Sequence, residues 1–153
     1  MVPVAIALGS NLGDREQLLR KAVAALGACI DDLRVSTFYE TDPVGVGDQP
    51  RFLNAAAIGR TALTARDLLA ALLDIESRCG RERPRAGAAR TLDLDLILYN
   101  GLVTGEPGLT LPHPRFRERM FVLEPLADIA AEWVDPVTGR TVGELLSELT
   151  AGR

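Results

Sequence analysis

The chain is poor in the residues that small proteins use for covalent or metal-bound scaffolds: 153 residues include two cysteines, one histidine, one tryptophan and only 5% aromatics. Cys29 and Cys79 lie far apart and form no C-x-x-C pair, which excludes a redox motif or a zinc knuckle and leaves two thiols expected to be buried. Lys21 is the sole lysine and the formal net charge is −4. A nucleic-acid partner is therefore not expected, because phosphate-backbone affinity needs a basic surface, and an RNA platform would also need more strand aromatics. Long apolar runs are missing too. Val2 to Leu8 falls well short of the roughly 20 residues of a membrane span and lacks the basic flank and cleavage pattern of a signal peptide. No membrane partner is expected, and a reducing cytoplasm is the expected location.

What is present suits one compact domain over residues 1–153, with 47% hydrophobic residues and no repeat, linker or spare length for a second unit. Val4 to Leu8 is a short apolar run that stops at the turn-forming Gly9-Ser10-Asn11, as a buried strand would. From Asp14, a plausible N-cap, to about Ala28, Leu18, Leu19, Ala22, Val23 and Leu26 recur at helical spacing. Arg34 to Thr41 predicts a second strand, ended by Asp42-Pro43, and Phe52 to about Arg60 predicts a third. Thr64 and Asp67 resemble a capping box ahead of a second helix carrying Leu68, Leu69, Leu72, Leu73 and Ile75 as far as Glu76. A loop is expected over residues 80–90, and Thr91 to Tyr99 is the clearest strand. Strand, helix, strand, strand, helix, strand is the split βαβ order of a ferredoxin-like α+β sandwich, with an antiparallel sheet and helices on one face. Extra C-terminal elements follow: a segment around His113, a helix near Phe121 to Ile129, and an amphipathic stretch from Val142 to Leu149.

In Thr91-Leu-Asp-Leu-Asp-Leu-Ile-Leu-Tyr99, alternation sends Leu92, Leu94, Leu96 and Leu98 to one face and Asp93 and Asp95 to the other. Two carboxylates about 7 Å apart on one strand face repel unless a cation or water separates them. Hard oxygen donors so spaced suit magnesium, which takes one or two carboxylates and completes its shell with water and phosphate oxygens. A solvated sheet face is the competing reading of the pair taken alone. Arg81, Arg83, Arg85 and Arg90 favour the metal reading, since the arginine fork matches phosphate oxygens beside a metal on the adjoining strand. A second arginine group, Arg115, Arg117 and Arg119, lies near His113, which Pro112 and Pro114 confine to a loop. The Gly9-Ser10-Asn11-Leu12-Gly13 stretch lacks the Gly-Lys-Ser/Thr of a phosphate loop.

Several stretches together resemble one known family: Leu8-Gly-Ser-Asn-Leu-Gly, Phe52-Leu-Asn-Ala-Ala, Ile75-Glu with Gly80-Arg81, Arg90-Thr-Leu-Asp-Leu-Asp-Leu, and Leu111-Pro-His-Pro with Arg119. In order and spacing they look like 6-hydroxymethyl-7,8-dihydropterin pyrophosphokinase of folate synthesis, over nearly the whole chain. The resemblance implies transfer of the β,γ-diphosphate of ATP to the pterin hydroxymethyl group, with release of AMP and two magnesium ions as cofactor. It implies Asp93 and Asp95 as metal ligands, and Arg81, Arg90 and Asp95 as catalytic residues. Phe52 and Phe121 match the rings that sandwich the pterin, Thr41, Val44 and Asn54 the positions that read its edge, and Arg119 a pterin-site arginine. Leu69, Glu76, Arg83, Leu96, Thr110 and His113 match nucleotide-site positions. Small-molecule substrates and a monomer are the corresponding expectations. The chain departs from familiar members in a loop about one residue shorter before Arg90, with Gly87 or Ala88 in place of a tryptophan, in Pro114 beside the histidine in place of an aromatic, and in Gly108 in place of an arginine.

Overall fold

The computed structural model describes residues 1–11, 14–41, 52–79 and 92–152. Its main sheet contains β1 (Val2–Ser10), β2 (Asp31–Val35), β3 (Tyr39–Thr41), β4 (Phe52–Thr61) and β5 (Asp93–Tyr99). The strand order is β2-β4-β1-β5, β3 also pairs with β4, and every pairing is antiparallel. Helix α1 (Arg15–Leu26) joins β1 to β2, and α2 (Ala65–Cys79) lies between β4 and β5 in the chain. This is an antiparallel α+β architecture compatible with the ferredoxin-like order expected from the sequence. A small hairpin, β6 (Thr104–Glu106) with β7 (Leu109–Leu111), then leads to the 3-10 turn Phe116–Glu118, α3 (Met120–Ala130) and α4 (Val142–Ala151).

The helix starts follow from local chemistry. The Asp14 carboxylate accepts the Gln17 N–H at 3.0 Å and Thr64 accepts the Asp67 N–H at 3.1 Å, so each side chain satisfies a donor that the first helical turn leaves open. At α4, Thr141 and Glu144 exchange hydrogen bonds with each other's backbone N–H in a complete capping box.

The helices do not all lie on one face. Val4, Ile6 and Leu8 turn toward α1 and α2, while Ala5 and Ala7 turn toward a second core built with Ile58, Ile97, Phe116, Val122, Leu123, Leu126, Val142 and Leu145. β1 is thus covered on both faces, which is why it reads as a continuous apolar run rather than an alternating one. The C-terminal α3 and α4 supply that second cover.

Three further departures have local causes. The expected strand from Arg34 to Thr41 is broken at Ser36, whose hydroxyl accepts the Ala56 N–H at 2.9 Å and donates to the Thr37 carbonyl at 2.8 Å, so that a side-chain bond takes the place of one ladder bond while the Ser36 N–H still donates to the Ala56 carbonyl. Leu98 joins Ile97 in the second core instead of following Leu92, Leu94 and Leu96 into the first. The register explains it: Ile6 faces Leu96 but Ala5 faces Leu98, so a bulge at this point resets the alternation. Cys29 and Cys79 are half-buried rather than buried. Among the described residues no helix is long and apolar enough to cross a membrane.

Candidate active site

The sheet registers align a row of side chains across four strands. Tyr39 faces Asn54, Asn54 faces Gly9, and Gly9 faces Asp93; one step along, Ala7 faces Ala56 on one side and Asp95 on the other. The row lies on the face covered by α3. At one end of that face Ala5, Ile58 and Ile97 are filled in by the helix. At the other end β1 offers only Gly9 and Ala7, so the floor is low and a cavity of about 510 Å3 opens above it. Gly9 keeps this corner open: a Cβ at that position would meet the Asn54 Oδ1 at 3.0 Å, and the amide would have to give way.

Thr41, Phe52, Asn54, Asp93, Asp95, Arg115, Glu118, Arg119, Phe121 and Val122 form the walls. Asp93 and Asp95 share the cavity side of β5, as period-2 alternation requires. Opposite them across β1, about 10 Å away at two interstrand spacings, Asn54 donates through Nδ2 to the Thr41 hydroxyl at 2.6 Å and is itself only 5% exposed. This bond orients the amide. Phe52 and Phe121 reach the cavity from β4 and α3, and the Arg119 guanidinium lies 5.5 Å from the Phe121 ring centroid, a cation–π distance.

The arginines on either side of the 3-10 turn point differently from the one within it. Arg115 and Arg119 line the cavity, whereas Arg117 turns away and binds Asp135 bidentately, Nε at 2.5 Å and a terminal nitrogen at 2.9 Å. Asp135 is fully buried and also accepts from Thr138 and the Val137 N–H. Burial would raise its pKa, but those hydrogen bonds and the Arg117 charge outweigh it and hold the carboxyl at about 2. The result is a fixed base for the turn that carries Arg115 and Arg119.

His113 stands beside this group. Its Nδ1 accepts the Arg115 N–H at 3.2 Å, which leaves the proton of the neutral ring on Nε2. Burial lowers its pKa below the usual 6.5, the Arg119 and Arg115 charges add to that, and the Asp95 carboxylate partly opposes them. At neutral pH the ring is therefore an uncharged donor close to Asp95.

Of the residues singled out from sequence, Thr41, Phe52, Asn54, Asp93, Asp95, Arg119 and Phe121 meet at this one cavity, with His113 adjacent. Val44, Arg81, Arg83 and Arg90 lie outside the described residues. Leu69, Glu76, Leu96 and Thr110 do not line it: Leu96 is buried in the α1/α2 core with Leu69 packed against it, and Thr110 is exposed on β7. Glu76, 3% exposed, accepts the Leu94 N–H at 2.6 Å through Oε2, and so holds β5 between its two aspartates. Arg115, marked by the sequence only as one of an arginine group, and Glu118, which the sequence does not single out, also belong to the walls.

Could the pair hold a metal? Among the described residues no group of three or more His, Cys, Asp or Glu side chains forms an all-protein metal cage. Two carboxylates on one strand face at the edge of a ligand-sized cavity instead fit magnesium, which keeps most of its shell for water and phosphate. Such a cavity is of a size for a small ligand, with Phe52 and Phe121 offering apolar surface and Asp93, Asp95, Arg115 and Arg119 offering charged groups.

Comparison with known proteins finds relatives over most of the chain. Residues 5–131 match the family described as 7,8-dihydro-6-hydroxymethylpterin-pyrophosphokinase. The chain is 48% identical over 129 residues to a 2-amino-4-hydroxy-6-hydroxymethyldihydropteridine pyrophosphokinase of Bacillus subtilis (strain 168), covering 83% of this chain and 77% of the relative. It is 44% identical over 147 residues to the protein of that name from Methylorubrum extorquens, covering 94% of this chain and 91% of the other. Among solved structures, wild-type HPPK-DHPS of Plasmodium falciparum superposes with a TM-score of 0.80 at 12% identity, over 98% of this chain and 45% of that one, a likeness of fold. This chain thus spans less than half the length of that one.

Proposed function

Since this chain belongs to the 7,8-dihydro-6-hydroxymethylpterin-pyrophosphokinase family, whose reaction is diphosphoryl transfer to hydroxymethyldihydropterin in folate biosynthesis, we propose that it moves the β,γ-diphosphate of ATP with Asp93 and Asp95 as its magnesium ligands. The observation that carries this reading is the convergence of the carboxylate pair, the Asn54–Thr41 hydrogen bond and the Phe52 and Phe121 rings on one cavity.

In this reading the pterin lies between Phe52 and Phe121, with Asn54 and Thr41 on its polar edge and Arg119 beside it. Val44, Arg81, Arg83 and Arg90 complete the pterin and phosphate contacts. The hydroxymethyl oxygen attacks the β-phosphorus in line, the new O–Pβ bond replaces the bridge between the α- and β-phosphorus atoms, AMP leaves, and the hydroxyl proton is released. The groups act by alignment and by neutralising charge that develops on the diphosphate. Two magnesium ions held by Asp93 and Asp95 would supply charge neutralisation on the phosphate oxygens. His113, as an uncharged Nε2–H donor, contacts the nucleotide phosphates. Deprotonation falls to a carboxylate of the metal pair or to a lowered alcohol pKa. Leu69 and Thr110 border the nucleotide side, Glu76 and Leu96 support it from within the core, and the protein works as a cytoplasmic monomer.

The test is AMP formation followed by chromatography, with ATP, magnesium and reduced 6-hydroxymethylpterin present and each omitted in turn. AMP and pterin diphosphate should appear in equal amounts only in the complete mixture, and Asp95→Ala should abolish turnover. Near-normal turnover of Asp95→Ala with magnesium would refute the metal assignment. Saturable ATP binding without any AMP would point to a non-catalytic binding module.

A further inference from the structure

We infer that Asp128, at the far end of α3 from the cavity, is a positioning residue for the pterin site: it holds β3 against α3 and so fixes the gap in which the ring is gripped. The inference rests on the pterin reading of that cavity.

Among the described residues β3 is three residues long and pairs with β4 alone. Three residues of ladder are a weak attachment for a strand that carries a wall of a binding site. Two side chains reinforce it on the α3 side. The Tyr39 hydroxyl lies 2.7 and 2.8 Å from the two carboxylate oxygens of Asp128, and the Thr37 hydroxyl donates to Asp128 at 3.0 Å. On the opposite face Arg15, at the start of α1, pairs with Glu40 at 2.7 Å. The alternation is what links the clasp to the site: Tyr39 and Thr41 share a face, so the strand that Tyr39 ties to α3 presents Thr41 to the cavity, where it meets Asn54.

Phe121 and Asp128 are seven residues apart on α3, two turns or about 10 Å of helix. One end of the β3–α3 contact is therefore the clasp and the other is the gap between Thr41 and Phe52 on one side and Phe121 on the other. A flat heteroaromatic ring needs that gap held near a single width. Asp128 is exposed at the surface, so its role is not explained by core packing.

The experiment uses Asp128→Ala, Asp128→Asn and Tyr39→Phe in the full chain. Pterin binding would be measured by calorimetry with magnesium and a non-hydrolysable ATP analogue, together with steady-state constants for both substrates and amide hydrogen exchange over residues 37–41. Asp128→Ala should weaken pterin binding roughly 3- to 10-fold, the range for losing one or two charge-assisted hydrogen bonds at a surface. The KM for ATP should stay within about twofold and the melting temperature nearly unchanged, while exchange at residues 37–41 accelerates. Asp128→Asn keeps one acceptor oxygen and should recover part of the affinity. Tyr39→Phe should weaken pterin binding in the same direction, and adding it to Asp128→Ala should produce little further loss. Unchanged pterin affinity in Asp128→Ala would overturn the inference, as would parallel weakening of both substrates with a fall in melting temperature. Wild-type protein that fails to bind pterin would instead overturn the reading of the cavity; accelerated exchange in Asp128→Ala would then still establish the clasp, and unaltered exchange would remove it.

Discussion

Replacing Asp135 by asparagine should cost about 2 kcal/mol of stability at neutral pH, and that cost should fade in acid. The buried carboxylate is held at about 2 against an ordinary value of 3.8 by its bonds from Arg117, Thr138 and the Val137 N–H. A difference of that size is worth about 2 kcal/mol at 1.36 kcal/mol per pH unit. Because the folded-state value is depressed, the contribution is complete above the unfolded value near 3.8 and is lost as pH falls through the folded value near 2. About half of it should remain at pH 3. Asp135→Ala, which removes the hydrogen bonds as well, should cost about 3 kcal/mol, the low end for breaking a buried pair, because Arg117 keeps 25% of its side-chain surface in water. Urea denaturation at pH 7 and at pH 3, extrapolated linearly, measures both. A gap of less than about 0.5 kcal/mol between wild type and Asp135→Asn at pH 7, or a gap that does not shrink with acid, would refute the reasoning.

Three other perturbations follow from the same geometry. Gly9→Ala would press a methyl group against the Asn54 Oδ1, so the KM for pterin should rise several-fold with little change for ATP; equal effects on both substrates would contradict the assigned position of the ring. Glu76→Ala strands the Leu94 N–H and should destabilise the fold by about 2 kcal/mol in urea while lowering kcat, with Glu76→Gln recovering most of both. The His113 ring should titrate below 6.5 by NMR, and Asp95→Asn should move its midpoint further down, since the Asp95 charge is what raises it; an upward movement would show that the two groups do not interact as described.

The carboxylate pair was legible because period-2 alternation is a local rule, and Asp93 and Asp95 obey it. Leu98 was not, because the bulge opposite Ala5 and Ile6 depends on pairing with β1, which lies some ninety residues earlier in the sequence. The strand break at Ser36 is likewise tertiary, since its hydroxyl substitutes for a ladder bond only where Ala56 runs alongside. The helical periodicity of residues 120–130 identifies a helix but not the sheet face it covers, and that choice brings Arg119 and Phe121 to Asp93.

A subtler signal lies in Ala5-Ile6-Ala7-Leu8-Gly9, where size alternates while hydrophobicity does not. The large residues fill the α1/α2 side, and the small ones leave the other face shallow enough for a helix at one end and a cavity at the other. The two halves of that face have different demands. Where Ala5 lies between Ile58 and Leu98, close packing with α3 stabilises the fold. Where Gly9 lies between Asn54 and Asp93, the same economy of side chain leaves room for a ligand. Filling that room with larger apolar residues would extend the core across the sheet and remove the space between the aromatic rings and the carboxylates, so the cavity depends as much on what β1 omits as on what β4, β5 and α3 contribute.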